Sequence, residues 1–211
     1  MGKNKKHKTN YYISIATIVI LVLLNVFVYG LVIKVTLDKT NTTYRVGQFN
    51  EISKNIYVED GIDKTAYLTV KKGIELIQPP RYCEISIVTE IPTVLTKDMF
   101  EEGLTYVGKY TYDTKEIFIK KHNVDIMLMT TVHEIAHAID DKKHCSSSVE
   151  FMDLYNKYKD TYVACHNQAN SEYVTSSKNE FFAGVVVDFL CYPDEFSNQY
   201  PDLTEYLMIT I

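Results

Sequence analysis

The sequence predicts an α+β domain, built from a small mixed sheet and a mostly helical C-terminal half, and preceded by one transmembrane helix. Three observations lead there. Residues 11–33 form an apolar run without a formal charge. Residues 84–89, 104–110 and 116–120 are short stretches rich in β-branched and aromatic side chains, bounded by turn residues. Beyond residue 124 the apolar positions recur at helical spacing.

Composition sets the outer bounds. At 211 residues and 46% hydrophobic content, the chain can bury one sizeable core and carry an appendage. A net charge of −5 and a pI near 5.7 argue against a nucleic-acid binder. None of the four cysteines (Cys83, Cys145, Cys165, Cys191) sits in a C-x-x-C pair, so they read as neither zinc knuckle nor redox motif. The sequence leaves their pairing and the oligomeric state open.

Residues 1–10 carry Lys3, Lys5, Lys6 and Lys8 and read as a basic cytoplasmic segment. The run at 11–33, as a helix, is ~34 Å long and can cross a hydrocarbon core of ~30 Å. A signal peptide has a shorter apolar region, about 7–15 residues, and a small-x-small cleavage site. Val28-Tyr29-Gly30-Leu31 is a poor one, so the expectation is an uncleaved anchor, with secretion as the outcome if the segment is processed. The N-terminal lysines outnumber Lys34 and Lys39, which places the N-terminus in the cytoplasm and the remainder outside the cell. Residues 34–50 read as a polar stalk and 51–211 as the folded domain.

Within that domain, residues 60–77 have helical spacing and stop at Pro79-Pro80. Residues 84–89 alternate as a strand. Residues 96–102 suggest a short helix capped by Thr96, and 104–110 with Glu116–Lys120 suggest a hairpin turning near Asp113-Thr114. Helices are expected at 124–142, 149–162 and 178–191, with Pro193 and Pro201 punctuating the tail.

The helix at 124–142 carries the chemistry. It contains His133-Glu134-Ile135-Ala136-His137, and chance gives only about 0.01 such H-E-x-x-H runs in a chain of this composition. Residues four apart on a helix differ by about 40° of rotation, so the two imidazoles share a face. Two imidazoles so placed can hold Zn²⁺, with Glu134 set to deprotonate the attacking water. Leu128, Val132, Ile135 and Ile139 form a stripe on the opposite side, which predicts the buried face. Asp140 lies within roughly 20° of His133 on the wheel, a position from which it can accept the second ring N–H of a ligand histidine. His122, His144 and His166 read as surface residues.

A catalytic zinc needs a third protein ligand and one open position. Glu180 is the acidic candidate. The sequence leaves it two roles, because Ser177-x-x-Glu180 is also a capping box in which Glu180 would serve only its own helix.

The run His-Glu-Ile-Ala-His-Ala-Ile-Asp-Asp, followed by Tyr173 and then Glu180-Phe-Phe-Ala, resembles the zinc metallopeptidase domain of anthrax lethal factor. It is also similar to the secreted Pro-Pro endopeptidases. The likeness runs from about residue 116 to the C-terminus. Ile135-Ala136 stands where members often have an aromatic-Gly pair. The resemblance implies a zincin-type fold with one zinc held by His133, His137 and Glu180. It also implies that Tyr173, seven residues before Glu180, stabilises the transition state. With 17 tyrosines in the chain, the joint spacing and not the residue type carries that role. In this fold an edge strand preceding the metal helix holds the substrate backbone, which here makes Ile117, Phe118 and Ile119 the expected main-chain contacts. The expected activity is a membrane-anchored, extracytoplasmic metalloendopeptidase acting on an extended peptide or protein segment. The alternatives are a tethered zinc-binding module without turnover and a secreted toxin-like peptidase.

Overall fold

The computed structural model describes residues 43–95, 107–165 and 171–211. Strands β1 (Phe49–Ser53) and β2 (Ile56–Glu59) form an antiparallel hairpin, closed by Asn55 at φ 63°. Asparagine tolerates that left-handed conformation, which twists the hairpin correctly. Helix α1 (Lys64–Leu76) starts at Asp63, whose carboxylate accepts from Ala66 N–H at 3.1 Å. It begins later than residue 60 because Gly61, at φ 87°, turns the chain first. Strand β3 (Glu84–Val88) then runs parallel to β2.

Strands β4 (Gly108–Tyr110) and β5 (Glu116–Lys120) form the expected antiparallel hairpin. The sheet order is β1-β2-β3-β5-β4. This corrects the expected edge. Strand β5 precedes the H-E-x-x-H helix but lies inside the sheet, parallel to β3 on one side and antiparallel to β4 on the other. Ile117, Phe118 and Ile119 are therefore fully buried, with their backbone groups committed to two neighbours. The physical reason is visible in their composition: three apolar residues in succession mark a strand covered on both faces. Ile117 and Ile119 enter the main core, while Phe118 packs with Val88 and Ile91 beneath Tyr44, Phe49 and Leu95.

Helix α2 (Val124–Lys143) is capped by Asn123, which accepts from Ile126 N–H at 2.9 Å, and ends at His144 in the left-handed region. It packs on α1, where an added Cβ at Gly73 would stand 2.7 Å from Thr131 Cγ2. Val132, Ile135 and Ile139 are buried as the stripe predicts, and Leu128 is half-buried. Helix α3 (Val149–Tyr158) is followed by the short α4 (Ser171–Thr175) and by α5 (Lys178–Cys191). Pro193 and Pro201 do more than punctuate: each opens a helix, α6 (Pro193–Gln199) and α7 (Pro201–Thr210), at the first-turn position where a missing N–H costs nothing. Phe151 of α3 joins the helical half, with ring centroids 5.9, 5.4 and 5.4 Å from those of Phe181, Phe182 and Tyr206.

The described fold is thus α+β, a five-stranded mixed sheet with seven α-helices, and the predicted transmembrane element is not part of it. Among the described residues no helix is long and apolar enough to cross a membrane. The longest, α2, carries His133, Glu134, His137, Asp140 and Asp141 along its length. The expected anchor at 11–33, the first part of the stalk, the short helix at 96–102 and His166 lie outside the described residues. The later part of the stalk belongs to the compact unit that begins at Tyr44. Tyr44 N–H donates to Glu116 Oε2 at 2.9 Å, and the Arg45 guanidinium meets Glu84 at 2.6 Å. All four cysteines are free thiols.

Candidate metal centre

Helix α2 presents His133 and His137 on one face, as their spacing requires, and α5 crosses it so that Glu180 faces both rings. His133 Nε2 lies 3.1 Å from His137 Nε2 and 3.1 Å from Glu180 Oε2, and His137 Nε2 lies 3.5 Å from the same oxygen. Three donor atoms therefore form a near-equilateral triangle. For ligand bonds of about 2.0–2.1 Å, two corners of a tetrahedron stand about 3.3–3.4 Å apart. The triad matches one face of such a tetrahedron and is compatible with a metal ion. The chemistry of the set agrees. Two imidazole nitrogens and a carboxylate oxygen converge on one point, and a cation there can engage all three lone pairs together.

Only the Ser177 half of the capping box forms. Ser177 does cap α5, its hydroxyl accepting from Glu180 N–H at 3.2 Å, while the Glu180 carboxylate turns towards the histidines. Burial alone would raise its pKa. The hydrogen bonds of His133 and His137 outweigh burial and hold it well below the usual carboxylate range.

Glu134 is buried between α2 and the sheet. Its Oε2 accepts from Tyr110 N–H at 2.7 Å, and burial pushes its pKa up to about 7, with His133 and that N–H opposing and Glu180 adding. The strand that meets Glu134 is β4, the true edge. Hydrogen bonds from Lys120 N–H to Val107 O and from Thr111 N–H to Glu116 O show that alternate residues face β5. By the antiparallel alternation, Gly108 and Tyr110 turn their backbone groups outward. Gly108 packs so closely on α2 that an added Cβ would stand 2.3 Å from Thr130 Cγ2 and 2.8 Å from Glu134 Oε1. Tyr110 is pinned a second time at its hydroxyl, which donates to Asp141 Oδ2 at 2.7 Å. Neither residue is singled out by the sequence. A lone glycine in a strand pattern, which signals close backbone approach, is the one cue.

Tyr173, on α4, is 44% exposed, and its ring centroid stands 6.4 Å from that of His133. It flanks the triad on the solvent side. Asp140 takes a different position from the expected one. Its carboxylate accepts from Ser146 N–H at 2.7 Å and from Asn179 Nδ2 at 3.2 Å, not from a ligand ring. His137 Nδ1 is buried without a hydrogen-bond partner among the described residues. His122, exposed, accepts from Asn123 N–H, and His144 ends α2; neither joins the triad.

No protein-family model and no curated protein matches the sequence.

Proposed function

We propose that the chain is a zinc-dependent metalloendopeptidase of the lethal-factor-like kind. The observation that carries this reading is the triangle of His133, His137 and Glu180, with Glu134 directly behind it. A set of two imidazoles and one carboxylate suits zinc and leaves a coordination position open. When bound, the ion supplies Lewis-acid polarisation of a carbonyl and acidifies water.

The chain's own residues account for the remaining tasks. Glu134 takes the proton of the attacking water and returns it to the leaving amine. Its orientation is fixed because one carboxylate oxygen is already held by Tyr110 N–H, leaving Oε1 for the proton. Tyr173 donates its hydroxyl to the developing oxyanion from the exposed side of His133. The Gly108 backbone groups and the Tyr110 carbonyl of β4, in place of β5, receive an extended substrate segment as an added strand, the Tyr110 N–H being held by Glu134. Catalytic base and substrate edge then share Tyr110.

The test compares the full chain with Glu134→Gln. Metal content is measured in both, and cleavage of a mixed peptide library is profiled by mass spectrometry. One zinc per chain in each, with turnover lower by about 10²–10⁴-fold in the variant, is the expected result. Zinc in both with products from neither would leave a binding module and reject the peptidase.

A further inference from the structure

Asn179 stands immediately before Glu180, and its side chain leaves its own helix. Its Nδ2 donates to Asp140 Oδ2 at 3.2 Å. Asp140, only 4% exposed, is itself fixed by Ser146 N–H on Oδ1. It lies on α2 about one turn beyond His137. The two helices that carry the ligands are therefore tied together beside the triad, three residues past one ligand and one residue before another.

We propose that Asn179 is a positioning residue, which with Asp140 forms a clasp that sets the Glu180 carboxylate against His133 and His137 and so fixes metal affinity. The inference rests on reading the triad as a metal centre. Phe181, Phe182 and Val185 bury α5 in the core, but apolar contact is non-directional and tolerates small slides between helices. A hydrogen bond to a buried carboxylate is directional and sensitive to length. Metal–ligand distances tolerate only about ±0.2 Å. A slide of α5 that packing would accept is one that the site would not. The clasp supplies the missing constraint at the one end of α5 where it matters.

The test uses the full chain and four variants: Asn179→Ala, Asn179→Leu, Asp140→Asn and Lys178→Ala. Lys178 Nζ donates to Ser147 Oγ at 2.7 Å, a neighbouring tie that does not touch the triad. Zn²⁺ affinity is read by chelator competition, ligand geometry by the visible spectrum of the Co²⁺-loaded protein, and folding by the thermal midpoint without metal. Both Asn179 variants are expected to bind Zn²⁺ about 10–100-fold more weakly and to shift the Co²⁺ bands. Lys178→Ala should match the wild type. Asp140→Asn should stay close to it, because an amide pair re-forms once the Asn179 amide turns over. Asn179→Leu keeps the branched shape and heavy-atom count, so its weakening separates the lost hydrogen bond from a lost contact. Wild-type affinity and spectrum in the Asn179 variants would overturn the clasp alone, as would equal weakening by Lys178→Ala. A wild-type chain that takes up no metal would overturn the metal reading as well.

Discussion

Replacing Gly108 by alanine puts a methyl group where two buried side chains of α2 already stand. The new Cβ meets Thr130 Cγ2 at 2.3 Å and Glu134 Cγ and Oε1 at 2.8 Å each. Carbon contacts settle at about 3.5–4.0 Å, so the overlap with Thr130 exceeds about 1 Å. Strand β4 is three residues long and lies at the sheet edge, which makes it the element that yields. Moving it outward by about 1 Å stretches the 2.7 Å bond from Tyr110 N–H to Glu134 beyond hydrogen-bond range. Overpacking of this kind costs about 1–3 kcal/mol, and each kcal/mol lowers the midpoint of a domain this size by about 2–4 °C. A misplacement of about 1 Å at a catalytic group costs about 10²-fold in turnover. The assay is kcat/KM on a peptide that the wild type cleaves, beside thermal unfolding and metal content. Metal content should hold, since Gly108 touches no ligand. Adding Thr130→Ser removes Cγ2 and should recover much of the stability, while the Glu134 overlap keeps turnover low. A Gly108→Ala protein with wild-type midpoint and wild-type turnover would refute the close approach and the role assigned to it.

Tyr173→Phe should lower kcat by about 10²–10³-fold with KM little changed, measured on the same peptide, because the proposal sets the hydroxyl to work on the oxyanion. Gly184→Ala brings a Cβ to 2.4 Å from Val174 Cγ1 and should push α4 away from α5. A loss of about 1–3 kcal/mol by chemical denaturation and reduced turnover at normal metal content are expected, since Tyr173 moves with α4. Asp141 gives a pH test. Burial raises its pKa, but the hydrogen bonds of Lys115 and Tyr110 outweigh burial and bring it below the usual value. A depressed folded pKa contributes stability above the unfolded value of about 3.9, and that contribution is lost as pH falls through the folded one. Asp141→Asn should therefore be less stable than wild type near neutrality and approach it in acid, as followed by thermal midpoint against pH.

The two histidines were legible because their information is local, whereas Glu180, 43 residues beyond His137, became a ligand candidate of choice only through the family resemblance. Four-residue spacing on a helix puts His133 and His137 on one face, whatever surrounds the helix. The buried stripe of Val132, Ile135 and Ile139 follows from the same periodicity. Sheet order is different. The run Ile117-Phe118-Ile119 marks a strand without saying which strands flank it, and the short β4 gives too little pattern to compete for the edge. The partner of Asp140 was misplaced for a related reason. A helical wheel ranks neighbours on one helix and is blind to Ser146 and Asn179, which arrive from a turn and from another helix. Gly108 and Tyr110 belong to the same class, since their contacts with Glu134 exist only once β4 is laid across α2.

An open sheet edge is also an invitation to copies of the same molecule, and proteins that keep one usually shorten it or charge it. Strand β4 has both features, with three residues and Lys109 at its centre. The edge is long enough to register a short guest and too short to template a growing stack. In the proposed peptidase, selectivity against self-association and receptivity to a substrate are set by the same dimension, the length of one strand.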